Sequence, residues 1–358
     1  MKIFTPYKLG SIELKNRIVM SPMTRSRAID NLPNELMMKY YGLRADAGLL
    51  ITEGTAPSIN GLGYPRIPGI YSEAQVHDWK QVTDAVHEKG GKIFLQMMHT
   101  GRISHPDNME EGAEVLAPSA VQAAGEMYTD ANGLQAHPVP KAMTLENIAQ
   151  AQQEFVQAAK NAITAGFDGI ELHGANGYLI DQFINPGSNQ RTDLYGGSME
   201  NRSRFVLEVA SKVADAIGAE RTGIRLSPYG VYNDMILFEG LEEHYEYLAL
   251  ELGKLKLIYL HIVDHSSQGA PEVKDSVKNK IRSAFAGTII ASGGLSKESA
   301  EDILQNNKAE LVAFGQKFIA NPDLVHRFKN DLDFNALDYN TFFTPGEKGY
   351  LDYPLAQS

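Results

Sequence analysis

The sequence predicts an α/β fold and, within that class, a (β/α)8 barrel. Three observations lead there. Eight short apolar runs rich in β-branched residues recur along the 358 residues, longer amphipathic stretches separate them, and no linker, internal repeat or low-complexity tract interrupts the alternation. Runs that are apolar on both faces indicate a parallel sheet covered on both sides. A doubly wound open sheet gives a similar alternation, and the count of eight favours the closed barrel. Residues 1–358 are therefore expected to form a single barrel domain.

In chain order, the turn at Leu9-Gly10-Ser11 predicts an N-terminal β-hairpin that caps the barrel bottom. The strands are expected at 17–20 (RIVM), 49–52 (LLIT), 92–96 (KIFLQ), 169–173 (GIELH), 223–226 (GIRL), 257–263 (LIYLHIV), 288–291 (TIIA) and 310–314 (ELVAF). Ser72 and Gln75 form a capping box ahead of a helix ending near Gly90 and Gly91. Thr144 caps a second helix, in which Ile148, Ala151, Phe155, Ala159, Ala162 and Ile163 share a face and Gly166 closes the run. Asn321 before Pro322 predicts a helix start. The long gap between Thr100 and Lys141, after strand three, predicts an excursion over the barrel top.

Composition narrows the function. Hydrophobic residues make up 43% of the chain, enough for a substantial core. There is no cysteine, which excludes disulfides, thiolate catalysis, cysteine-bound zinc and cysteine-held iron–sulfur clusters, and suits a reducing compartment. A net charge of −11, without clustered Lys and Arg, argues against a nucleic-acid partner. The start, MKIFTPYKLG, has no signal-peptide h-region, and no apolar run reaches membrane-spanning length, so a cytoplasmic protein without a membrane partner is expected.

In this fold the chemistry gathers where the strands end. Strand four is followed by His173, Asn176 and Tyr178, two hydrogen-bonding groups and a phenol in close succession. Capping and core packing are the plain alternative for them. Ser292, Gly293 and Gly294 after strand seven, and Gly315 after strand eight, suit a phosphate; ordinary βα turns would look alike, but position favours the anion. No G-x-G-x-x-G opens a helix after a strand. Arg225, within an otherwise apolar strand, needs either an ion pair with Glu53 or Glu171 or the negative charge of a bound cofactor. Gln96 can pair with the edge of a heterocycle.

The segments SPMTRSRA, LQMMHTGR, ELHGANGYLIDQFINPGSNQRTDLYGGSMENRSRF, IRLSP and FIANPDLV resemble, in order and over nearly the whole chain, the motifs of the old yellow enzyme family of FMN-dependent ene-reductases, near the bacterial N-ethylmaleimide and pentaerythritol tetranitrate reductases. The resemblance implies non-covalent FMN, with NADPH or NADH as reductant. It implies ping-pong hydride transfer through flavin N5 to activated C=C bonds of α,β-unsaturated carbonyl, maleimide or nitro compounds, by a monomer or homodimer. Carried over by position, Pro22, Met23, Thr24, Ala56, Gln96 and Arg225 would surround the flavin, with Thr24 at O4 and Arg225 at the N1/O2 edge. Ser292, Gly293, Gly294, Gly315 and Gln316 would receive the phosphate. His173 and Asn176 would grip the substrate oxygen, Tyr178 would donate the proton, and Thr24, Tyr64, Met98 and Phe343 would line the substrate pocket.

Three positions depart from the family pattern. Gln316 replaces a phosphate-binding arginine, Met98 replaces a tryptophan and is expected to widen the pocket, and Phe343 replaces a tyrosine. Two other functions compete. A metal-dependent barrel hydrolase would use His99, His173, His261 and Asp264; a degenerate barrel would bind FMN without turnover.

Overall fold

The computed structural model describes residues 1–356. Eight parallel strands close into a barrel. They are β1 (Ile18–Met20), β2 (Leu49–Ile51), β3 (Ile93–Met97), β4 (Gly169–Gly174), β5 (Thr222–Leu226), β6 (Tyr259–Val263), β7 (Thr288–Ser292) and β8 (Leu311–Phe314). Closure comes from β8 pairing with β1, Ala313 opposite Val19. Each expected strand is present to within two residues at either end, and helices fill the intervals.

Alternation along the strands sorts the residues into two environments. Ile170, Leu172, Ile224, Leu226, Leu260 and Ile262 face outward and join the large core under the helices. Inward, the lower barrel is apolar: Val19, Leu49, Ile51, Phe94, Tyr259, Ile290 and Leu311 form one cluster. The Phe94 and Tyr259 rings lie 5.8 Å apart there. A side chain at Gly169 would come within 2.5 Å of the first ring and one at Gly223 within 2.3 Å of the second, so the glycines opening β4 and β5 make room for both aromatics. Above that layer the inward positions turn polar, with Gln96, Glu171, Arg225 and His261. The fold thus supplies a dry floor beneath a polar mouth.

The N-terminal hairpin, Tyr7–Leu9 against Ile12–Leu14, inserts Leu9 and Leu14 into the lower cluster. After β3, the excursion carries a second hairpin, Glu126–Thr129 against Gly133–Ala136, out to the barrel mouth. The Ser72–Gln75 capping box and the Thr144 cap form as expected, and Asn147 completes a second box with Thr144. Asn321 differs from expectation. It ends the short helix Gln316–Ala320, its amide donating to the Lys317 carbonyl, and the next helix starts only at Leu324. The side chain satisfies a C-terminal carbonyl rather than an N-terminal amide.

Candidate active site

A cavity of about 1320 Å3 opens at the C-terminal ends of the strands. Its wall draws on the segments after β1, β4, β6, β7 and β8, on the 126–136 hairpin and on the chain from Leu337 to Pro345. Pro22, Met23, Thr24, Tyr64, Asn176, Tyr178, Arg225, Ser292, Gly293, Gly294, Gly315, Gln316 and Phe343 all reach it.

The turn after β4 presents the central groups. Asn176 and Gly177 are both left-handed, at φ 61° and 76°, a conformation that asparagine tolerates and glycine adopts freely. Asp181 receives the Gly177 N–H at 2.8 Å and the Asn176 N–H reaches Ser227 Oγ at 2.9 Å, which fixes the reversal. Burial raises the Asp181 carboxyl to about 7. Tyr178 then caps the helix Leu179–Ile184, with its hydroxyl 3.1 Å from that of Tyr64. Burial raises the Tyr178 phenol well above its usual range, so it holds its proton at neutral pH. His173 lies behind Tyr178, ring centroids 4.8 Å apart, and its buried Nδ1 has no partner among the described residues. Burial and the Arg225 charge hold this imidazole neutral.

Beneath, a buried polar chain crosses five strands. Gln96 Nε2 donates to Glu171 Oε1 at 2.8 Å, and Glu171 Oε2 meets His261 Nδ1 at 2.8 Å. His261 Nε2 lies 2.9 Å from Arg225 Nη1 and 3.0 Å from Ser292 Oγ. These distances make Nδ1 the protonated nitrogen, with Nε2 accepting. Burial and Arg225 lower the His261 pKa to about 4, whereas Glu171 stays a carboxylate, held by His261 and Arg225 against the cost of burial. Arg225 therefore meets Glu171 through an imidazole. Glu53, the other partner offered by the sequence, is occupied by the Tyr41 hydroxyl and the Arg25 N–H. The Arg225 Nε has no partner among the described residues.

Several side chains stand differently from the sequence expectation. The Ser292 hydroxyl turns inward to His261 and the Ile262 carbonyl. Gly293, at φ 126°, is required by packing: a Cβ there would sit 1.9 Å from the Asp264 carbonyl oxygen. Ala56 is fully buried off the cavity wall. Met98 is not on the cavity wall: the residue is 1% exposed and packs with Ala56, Leu62 and Ile67 behind Tyr64 and Tyr178, tight against Gly54. Phe343 stands at the rim, its carbonyl receiving Arg66 Nη2 at 2.8 Å. The groups named for zinc are engaged separately, His261 as above, His99 by the Gly101 N–H, and Asp264 by Lys278.

His265, in the VDHS segment that ends strand six, carries no assigned role in the sequence; it lines the cavity with Nε2 2.7 Å from Asn176 Oδ1. Nor did it assign the two arginines of SPMTRSRA. Arg25 donates to the Gly349 carbonyl and Arg27 to those of Thr341 and Lys348, tying the C-terminal segment over the mouth. Both effects join segments more than fifty residues apart, beyond the reach of local pattern.

This donor set fits a flavin mononucleotide. Arg225 and His173 each carry a buried nitrogen without a protein partner, a state costing about 1–3 kcal/mol unless a ligand satisfies it. A Gly293-Gly294-Gly315 surface with Lys317 lies at one end of the same cavity.

Comparison with known proteins agrees. The profile of the NADH:flavin oxidoreductase / NADH oxidase family matches residues 2–335. Flavin oxidoreductase hxnT of Emericella nidulans is 41% identical, over 99% of this chain and 98% of its own. 12-Oxophytodienoate reductase 7 of Oryza sativa subsp. japonica is 39% identical, over 99% and 94%. Among solved structures, morphinone reductase superposes with a TM-score of 0.95 at 42% identity, covering 99% of this chain and 96% of that one. The old yellow enzyme homologue of Zymomonas mobilis gives 0.94 at 38% identity, covering 99% and 100%.

Proposed function

The chain belongs to the old yellow enzyme family of NADH:flavin oxidoreductases, and we propose that within it this protein is an ene-reductase, reducing the electron-poor C=C bond of α,β-unsaturated carbonyl, maleimide or nitro compounds at the expense of NADPH or NADH. The observation that carries this reading is the pair of unsatisfied buried nitrogens, Arg225 Nε and His173 Nδ1, beside a cavity that also receives Asn176 and Tyr178.

FMN, when bound, supplies a carrier that accepts hydride from the nicotinamide and passes it to the alkene. Arg225, held by the His261–Glu171 chain, would offer a fixed positive charge to the flavin and so favour its reduced, anionic form. Pro22, Met23 and Thr24, on the cavity wall, would hold the flavin ring, with Thr24 supplying a hydroxyl to it, and Gln96 and Ala56 would back that wall from β3 and the segment after β2. His173 and Asn176 donate to the acceptor oxygen and draw charge away from the β-carbon. The Tyr178 hydroxyl, its proton retained by burial, protonates the α-carbon as hydride arrives at the β-carbon. Tyr64 orients that hydroxyl, and Phe343 closes the rim.

Label transfer tests the assignment. With hydride-labelled NADPH and 2-cyclohexenone in D2O, the saturated ketone should carry nicotinamide-derived label at Cβ and solvent deuterium at Cα. Consumption of NADPH without saturated product would count against it.

The phosphate end makes a second expectation. Gln316 offers no charge, and the Lys317 ammonium lies 5.6 Å from the Phe334 ring centroid. A charge-assisted hydrogen bond is worth about 1.5–3 kcal/mol, or roughly tenfold to a hundredfold in affinity. Gln316→Arg should therefore tighten FMN by at least about tenfold, read as flavin retained through serial dilution at nanomolar protein. An unchanged Kd would assign the phosphate charge to Lys317 alone.

A further inference from the structure

We propose that His265 is a positioning residue that sets which end of the Asn176 amide meets the substrate. The inference rests on the reading of the site given above and adds a residue from a different strand end. An asparagine side chain presents a donor on one side and an acceptor on the other, and rotation by half a turn about its last bond exchanges them. Only the NH2 end can bind a carbonyl or nitro oxygen. Turned the other way, the amide would set oxygen against oxygen.

The structure assigns the choice to the loop after β6. His265 Nε2 lies 2.7 Å from Asn176 Oδ1, and no hydrogen-bond partner engages Asn176 Nδ2 among the described residues. The Asn176 backbone cannot swing away: its N–H is bound to Ser227 Oγ at 2.9 Å and its carbonyl receives Asn233 Nδ2 at 2.7 Å. The imidazole is equally constrained. The Tyr232 ring meets it edge-on with centroids 4.6 Å apart, and Tyr232 donates to Gln268 at 2.8 Å in the loop that follows His265. Burial and the Arg225 charge bring the His265 pKa to about 4, so the ring is neutral and carries one proton. With that proton on Nε2 the ring donates to Oδ1, and the two Nδ2 protons are left for the cavity that Asn176 and His265 both line.

Three substitutions separate this role from simple packing, measured in the FMN-loaded enzyme with 2-cyclohexenone. His265→Leu removes the donor and should lower kcat/KM about tenfold, the scale of one hydrogen bond. His265→Gln keeps an N–H donor and should recover most of that loss. His265→Glu offers only an acceptor, holds the amide reversed, and should be the most damaging of the three. In an Asn176→Ala background His265→Leu should cost nothing further, because no amide remains to orient. Flavin absorbance and thermal midpoint are expected to stay at wild-type values in the Leu and Gln variants. Wild-type kcat/KM in His265→Leu, an equal loss with and without Asn176, or a glutamate variant that outperforms the glutamine one would each overturn the proposal. A wild-type enzyme that reduces no enone at all would instead overturn the function on which it rests.

Discussion

Replacing Tyr178 with phenylalanine is expected to slow enone reduction by about a hundredfold or more, the usual worth of a positioned general acid. The reason is local. Hydride arriving at the β-carbon leaves a carbanion-like α-carbon, and Tyr178 brings to the cavity wall a hydroxyl that burial keeps protonated. The phenyl ring would retain the packing against His173, 4.8 Å away, and against the Met98 cluster, so folding and flavin content should be preserved. Stopped-flow absorbance separates the halves of the cycle: bleaching by NADPH should proceed within about twofold of wild type, while reoxidation by 2-cyclohexenone carries the loss. Reoxidation at the wild-type rate would remove Tyr178 from the chemistry and leave Tyr64, its neighbour at 3.1 Å, as the remaining phenol.

His173→Ala and Asn176→Ala are each expected to cost about 3 kcal/mol in kcat/KM, roughly a hundredfold, as loss of a donor to developing oxyanion charge does elsewhere. Both groups enter as neutral donors. Burial and Arg225 keep the His173 ring uncharged, and no described residue engages the NH2 end of the Asn176 amide. On the proposed function the two donors share one substrate oxygen, so the double substitution should lose less than the product of the single effects. Initial rates over a range of enone concentration decide the matter, with thermal melts as the control for folding. A loss below threefold in both single variants would show that the acceptor oxygen binds elsewhere.

The barrel was legible because its strands read as runs apolar on both faces, and such runs have few other places to go. Much of the site followed from the same frame, since His173, Asn176, Arg225 and the glycines after β7 and β8 stand at strand ends. What stayed hidden depends on contacts across the barrel. Glu171 is one of the two partners the sequence offers for Arg225, but that the two meet through His261 shows only once β4, β5 and β6 lie side by side. Ser292 read as a phosphate ligand because it precedes two glycines, yet its side chain belongs to that inward chain. Met98, just past β3, packs with Ala56, Leu62 and Ile67 against Tyr64 and Tyr178, a contact that no periodicity reports. Arg25 and Arg27 are explained only by carbonyls more than three hundred positions away.

The most direct measurement is visible absorbance of the purified protein under anaerobic conditions. A flavin band that bleaches on adding NADPH or NADH and returns on adding an activated enone is the predicted result. A colourless protein that takes up no FMN from excess, or a bound flavin that the enone never reoxidises, would contradict the account.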